Sequence, residues 1–130
     1  MKVLMIEDDT TNLELMRLRM EHLGCRLVEA TTAEEGLRLA AEERPDLVLV
    51  DLKLDGDEGA GLDVIRQLRA NPATAGLTIV VHSVFVTHLV DLPKALPQVD
   101  GLLPKPFTTS QLQLVVEGCR TLQSSGPDHR

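Results

Sequence analysis

The chain has very few aromatic residues. Trp and Tyr are absent from its 130 residues, and Phe occurs only at Phe85 and Phe107. A site that binds a flavin or successive bases by ring stacking therefore lacks its usual side chains. The two cysteines, Cys25 and Cys119, cannot form a disulfide framework and do not have the spacing of metal ligands. We interpret them as small hydrophobic residues in a reducing compartment.

Long apolar runs and an excess of basic residues are also missing. No apolar run approaches the roughly 20 residues that cross a bilayer, and the N-terminal sequence MKVLMIEDD reaches acidic residues too early for a secretion signal. The net charge is −7, from 20 acidic and 13 basic residues. These features argue against a membrane protein and against a general binder of nucleic acids or membrane surfaces. We expect a cytoplasmic protein.

What is present is an alternation of short apolar strands and helical segments. The strand candidates are residues 2–7, 26–30, 46–51, 77–82 and 99–103. The helix candidates are residues 10–23, the segment between Thr32 and Pro45, the segment between Leu62 and Asn71, residues 87–96 and residues 111–122. The candidate at 87–96 contains Pro93 and should be short or irregular. Thr109 or Ser110 should cap the last helix.

This alternation predicts a single α/β domain built from five βα units. Strands as apolar as residues 46–51 should be parallel and covered by helices on both faces. We place the domain at residues 1–122 and expect the tail at 123–130 to be disordered. In open sheets of this kind, a functional site lies at the carboxyl ends of the strands.

Polar side chains collect at the predicted strand ends. They are found at residues 7–9, at Asp51, at residues 82–83 and at Lys105. Carboxylates that lie close together repel each other, and Mg²⁺ would remove the conflict because it prefers oxygen ligands. A central carboxylate beside a hydroxyl group and an ammonium group is suited to attack phosphorus and form an aspartyl phosphate.

In their order and spacing, four segments resemble the receiver domain of two-component response regulators. The segments are Ile6–Asp9, Leu47–Asp51, Val80–Ser83 and Leu103–Phe107, and the resemblance extends over residues 1 to about 122. Residues 71–74 also resemble single-domain receivers of the cell-cycle and chemotaxis type. The resemblance implies a flavodoxin-like, doubly wound parallel sheet with strand order 2-1-3-4-5.

The resemblance also implies a magnesium site. Asp51 would be the phosphoacceptor and would bind Mg²⁺ together with Asp8, a direct ligand. Glu7 would act on the metal largely through water, whereas Asp9 would not belong to the acidic pair. The backbone carbonyl of Lys53 would be a further ligand.

Two residues beyond the acidic group complete the implied site. Ser83 would donate a hydrogen bond to a phosphoryl oxygen, and Lys105 would form an ion pair with it. The Lys105-Pro106 peptide bond would be cis, which proline permits.

The implied function is that of a single-domain response regulator in two-component or phosphorelay signal transduction. The chain would receive its phosphoryl group from a histidine kinase or a histidine phosphotransfer protein and act on a downstream protein target. It would be a signalling phosphoprotein rather than an enzyme, with self-phosphorylation from a donor and autodephosphorylation that depend on Mg²⁺. We expect no output domain after about residue 122, and the acidic balance favours protein partners over DNA.

Some residues depart from the family pattern. The loop after Asp51 is long and lacks the usual proline, and Val84 stands where a small residue is typical. Leu102 occupies a position where receivers usually carry an aromatic ring. These departures favour an alternative function, a receiver that serves as a protein-interaction module without phosphorylation. The retained acidic residues, Ser83 and Lys105 oppose it.

Other interpretations fit less well. A calcium loop after Asp51 would need ligands where Lys53 stands, and a phosphatase with an aspartate nucleophile would need a second catalytic Asp there. The acidic residues 7–9 would repel the phosphate of a flavin. His82 suggests catalysis because it adjoins Ser83, but strand alternation directs the two side chains to opposite faces. We therefore interpret His82 as a core or sheet-face residue.

Overall fold

A computed structural model gives the architecture of the chain. It describes residues 1–54, 59–83, 99–104 and 107–125, with residues 83, 104 and 121–125 by their backbone only. The strands are Lys2–Ile6 (β1), Arg26–Ala30 (β2), Leu47–Asp51 (β3), Thr78–Ser83 (β4) and Gly101–Pro104 (β5). The helices are Thr10–His22 (α1), Ala33–Glu43 (α2), Ala60–Ala70 (α3) and Thr109–Ser125 (α4). The helix predicted at 87–96 lies outside the described residues.

All five strands form one parallel sheet. Their order is β2-β1-β3-β4-β5. This order confirms the predicted α/β fold of flavodoxin-like topology. The central strand β3 is buried along its whole length, as expected for a strand covered on both faces.

Alternate residues of the strands pack into two hydrophobic clusters, one on each face of the sheet. Leu4 and Ile6 of β1 contact the cluster that includes α2 and α3. Val3 and Met5, between them in sequence, belong to the cluster that includes α1 and α4. The two-residue period of a strand therefore determines which side chains lie on the face of the sheet that α1 and α4 cover. Glu7 continues the alternation of Val3 and Met5 and so belongs to that face.

Helix α4 differs from its prediction at both ends. Its N-cap is Thr108, whose hydroxyl accepts a hydrogen bond from the Gln111 N–H at 3.1 Å. The side chain of Gln111 accepts one from the Thr108 N–H at 2.8 Å, which completes a capping box. At the other end the helix runs to Ser125, three residues past the predicted limit, and the sequence Gly126-Pro127 directly after it is a typical signal for the end of a helix.

Both cysteines are free and buried. They belong to the same hydrophobic cluster as α1 and α4. The Cys119 thiol donates to the Asp46 carbonyl oxygen at 3.1 Å, and burial raises the pKa of this thiol. These contacts agree with the interpretation of the cysteines as small hydrophobic residues. Separately, within the described ranges no helix has the length and apolar character that spanning a membrane requires.

Candidate functional site

Two acidic residues lie at the junction of β1 and α1. The Glu7 N–H donates to the Ala30 carbonyl at 2.9 Å, which extends the pairing of β1 with β2 by one residue. Asp9 caps α1, and its carboxylate accepts from the Thr11 N–H at 2.9 Å and the Asn12 N–H at 3.3 Å. The chain between strand and helix is thus fixed on both sides of Asp8. Glu7 is buried, whereas Asp8 is exposed.

Asp51 is the last residue of β3 and is also buried. The Lys53 N–H donates to Asp51 Oδ1 at 3.2 Å. The following segment is held by α3, because the Gly61 N–H donates to the Leu52 carbonyl at 3.0 Å. These contacts orient the Asp51 carboxylate at the carboxyl edge of the sheet.

The three carboxylates of Glu7, Asp8 and Asp51 meet at this edge. One ligand oxygen from each lies within 4.8 Å of the other two. Three negative charges at such distances repel one another. Oxygens that bind one Mg²⁺ are about 3 to 4 Å apart, given its short bonds, so a slight closure of the cluster accommodates the ion. Charge, ligand type and spacing therefore all fit a small divalent cation.

His82 lies beside this acidic cluster. It is fully buried, as the sequence predicted for a core or sheet-face residue. In the sheet it is the register partner of Asp51, so the two side chains share a face. Its Nδ1 is 3.8 Å from Oε2 of Glu7. Sequence reasoning missed this contact, although strand alternation already assigned His82 to the face opposite Ser83.

The structure describes the remaining predicted site residues to different extents. The backbone of Ser83 is the end of β4, at the same edge as Asp51. Lys53 is exposed. Lys105 and Val84 lie outside the described residues. Leu102, half-buried, packs against the hydrophobic cluster of α2 and α3.

Comparisons with known proteins agree on one family. A family model described as the response regulator receiver domain matches residues 3–117. The KDP operon transcriptional regulatory protein KdpE of Escherichia coli (strain K12) is 35% identical over 112 residues, which are 85% of this chain and 47% of that protein. The polar-differentiation response regulator DivK of Brucella anthropi is 31% identical over 83 residues, which are 64% of this chain and 66% of that protein. The chain thus spans less than half the length of KdpE.

The fold is also that of a solved receiver domain. This domain belongs to a sensor histidine kinase of Pseudomonas aeruginosa PAO1, and its crystal structure has a magnesium ion coordinated in the active site cleft. It matches with a TM-score of 0.77 and 23% identity, over 90% of this chain and 94% of that domain. At this identity the likeness concerns the fold.

Proposed function

The chain belongs to the response regulator receiver domain family, and from that premise we propose that Asp51 accepts a phosphoryl group in a reaction that requires Mg²⁺. The observation that supports the proposal most directly is the meeting of Glu7, Asp8 and Asp51, with ligand oxygens within 4.8 Å of one another. Asp51 is buried and is the last residue of the central strand β3. That position suits a nucleophile whose surroundings are fixed before the donor arrives.

Asp8, Asp51 and the backbone carbonyl of Lys53 would hold the metal directly, with Glu7 acting through water. When bound there, Mg²⁺ would offset most of the negative charge of the carboxylates and would stabilise the charge that develops on the phosphoryl oxygens. A carboxylate oxygen of Asp51 forms the new bond to phosphorus, and the bond from phosphorus to the donor's histidine nitrogen breaks. The departing imidazole keeps the electron pair of that bond. Ser83 and Lys105 would supply a hydrogen bond and a positive charge to the transferred group.

The donor would be a histidine kinase or a histidine phosphotransfer protein. The output would be a protein-protein interaction that phosphorylation of Asp51 strengthens or weakens. The chain would then act in the cytoplasm as a single-domain signalling protein rather than as an enzyme. Its net charge of −7 favours a protein target over DNA.

The test is the intact mass of the protein after incubation with acetyl phosphate and Mg²⁺. Mass is the suitable readout because the chain has no Trp or Tyr for fluorescence. We expect one added phosphoryl group, lost in Asp51→Asn and lost when the metal is chelated. Asp63→Asn is the matched control, because Asp63 is an exposed carboxylate on α3 that pairs with Arg66.

Two results would contradict the proposal. An adduct that persists in Asp51→Asn would place the phosphoryl group elsewhere. No adduct on the unaltered protein, even with a phosphorylated histidine kinase as donor, would favour the protein-interaction module that works without phosphorylation.

A further inference from the structure

His82 is a buried polar residue that the proposed phosphoryl transfer does not use. Its exposed fraction is 0%, and that of Glu7 is 1%. The strands that carry them, β4 and the extension of β1, lie on opposite sides of β3. The imidazole and the carboxylate therefore approach each other across β3, with His82 Nδ1 3.8 Å from Glu7 Oε2.

The other oxygen of Glu7 is already engaged. Oε1 accepts hydrogen bonds from the Asp9 N–H at 3.3 Å and from Nδ2 of Asn12 at 3.4 Å. The start of α1 thus holds one carboxylate oxygen, while His82 faces the second. A buried carboxylate is stable only when polar groups compensate for the water it has lost. The positions of the polar groups around Oε1 and Oε2 therefore determine how the Glu7 carboxylate is oriented.

We propose that His82 is a positioning residue of the metal site, which holds the Glu7 carboxylate in the orientation that supports Mg²⁺. The inference rests on the proposed magnesium-dependent function. Nδ1 is the imidazole atom that the structure brings to Oε2. The separation of 3.8 Å exceeds that of a hydrogen bond, so the proposed role requires the two groups to come closer when the metal binds. Groups that orient the immediate environment of a metal commonly change its affinity by about 10- to 100-fold.

The test compares three substitutions of His82. Leu fills the space without a donor, and Asn places an amide nitrogen near the position of Nδ1. Gln places its amide nitrogen near the position of Nε2 instead. The dissociation constant for Mg²⁺ is read from backbone amide shifts of ¹⁵N-labelled protein, so the measurement does not depend on phosphorylation. Thermal unfolding without Mg²⁺, followed by circular dichroism, reports whether each variant folds.

We expect His82→Leu and His82→Gln to weaken Mg²⁺ binding by about tenfold or more, and His82→Asn to bind close to wild type. In a Glu7→Gln background, His82→Leu should change the Mg²⁺ affinity little further, because the carboxylate that His82 is proposed to position is no longer present. Both comparisons separate positioning from general damage, since a purely structural role predicts equal affinity for all variants that fold.

Failure of this inference differs from failure of the proposed function. If the wild type shows no Mg²⁺ binding, the proposed function is wrong. If the wild type binds Mg²⁺ and His82→Leu binds it equally tightly, the positioning role is wrong. The same conclusion follows if His82→Asn loses as much affinity as His82→Leu, or if the effect persists undiminished in Glu7→Gln.

Discussion

Gly61 lies where α3 begins, against the backbone that follows β3. A Cβ atom at this position would lie 2.3 Å from the Asp51 carbonyl oxygen and 2.5 Å from Leu52 Cα. Both atoms belong to the backbone, so neither can move aside as a flexible side chain would. The absence of a side chain therefore allows α3 to contact the segment that carries Asp51, which ties the packing of the helix to the geometry of the site.

Replacing Gly61 by Ala should lower the free energy of unfolding by about 2 to 3 kcal/mol, the upper part of the range for an overpacked position. Gly118→Ala is the matched control, because a Cβ at this exposed position on α4 would meet nothing within 4 Å. That change should raise the free energy of unfolding by about 0.5 to 1 kcal/mol through helix propensity. Urea unfolding measures both. Equal effects of the two substitutions would contradict the close approach at Gly61.

The helices begin at the carboxyl edge of the sheet, and their caps differ. Asp9 caps α1. Thr32 caps α2, and the Thr32 hydroxyl accepts a hydrogen bond from the Glu35 N–H at 3.1 Å. Thr108 caps α4, whereas Gly59 gives α3 no side-chain cap. The start of α3 is instead held by the packing of Gly61. Among the described helices, α1, α2 and α4 thus begin at local caps, whereas the start of α3 is fixed by contact with the end of β3 and the residue after it.

The cap of α4 can be tested by substitution of two adjacent threonines. Thr108→Ala removes the hydroxyl that accepts from Gln111 and should lower the free energy of unfolding by about 1 kcal/mol. Thr109→Ala should change it by less than about 0.5 kcal/mol, because Thr109 is the first helical residue. Thermal or urea unfolding of the pair decides the question. A larger loss of unfolding free energy in Thr109→Ala than in Thr108→Ala would instead identify Thr109, one of the two residues expected from the sequence, as the cap.

At the scale of the whole molecule, the acidic cluster of Glu7, Asp8 and Asp51 links charge to stability. The chain carries a net charge of −7, and three of its carboxylates approach within 4.8 Å. Repulsion of this kind opposes folding, and a cation that binds only the folded state offsets it. We therefore expect the stability of the protein to depend on Mg²⁺.

The melting temperature should rise with Mg²⁺ concentration. At a Mg²⁺ concentration 100 times the dissociation constant, the free energy of unfolding should increase by about 2.7 kcal/mol. Asp8→Asn should melt at a higher temperature than wild type without Mg²⁺, because it relieves repulsion, and should respond little to the metal. Asp63 is not part of the acidic cluster and pairs with Arg66. The melting temperature of Asp63→Asn should therefore respond to Mg²⁺ as that of the wild type does. A Mg²⁺ response that survives undiminished in Asp8→Asn would exclude the acidic cluster as its source.

The sequence alone determined the elements and the edge of the sheet where the site lies. Apolar runs and helical periodicity are local properties, so four helices and five strands could be predicted near their observed positions. The meeting of Glu7, Asp8 and Asp51 followed from the rule that the carboxyl ends of parallel strands share an edge. The roles of these residues came from the family pattern and stay predictions, as do those of Ser83, Lys53 and Lys105.

Only the tertiary structure decided the contacts between distant segments. Three consecutive hydroxyl residues begin at Thr108, and the spacing of a capping box fits both Thr108 and Ser110, so the local pattern leaves two candidates. The choice agrees with a contact from α1, because Arg19 donates to the Phe107 carbonyl at 3.0 Å and lies 5.0 Å from the centre of its ring. The approach of His82 to Glu7 likewise depends on strand order and register. Such contacts join residues far apart in sequence, and the sequence pattern around either residue contains no information about the other.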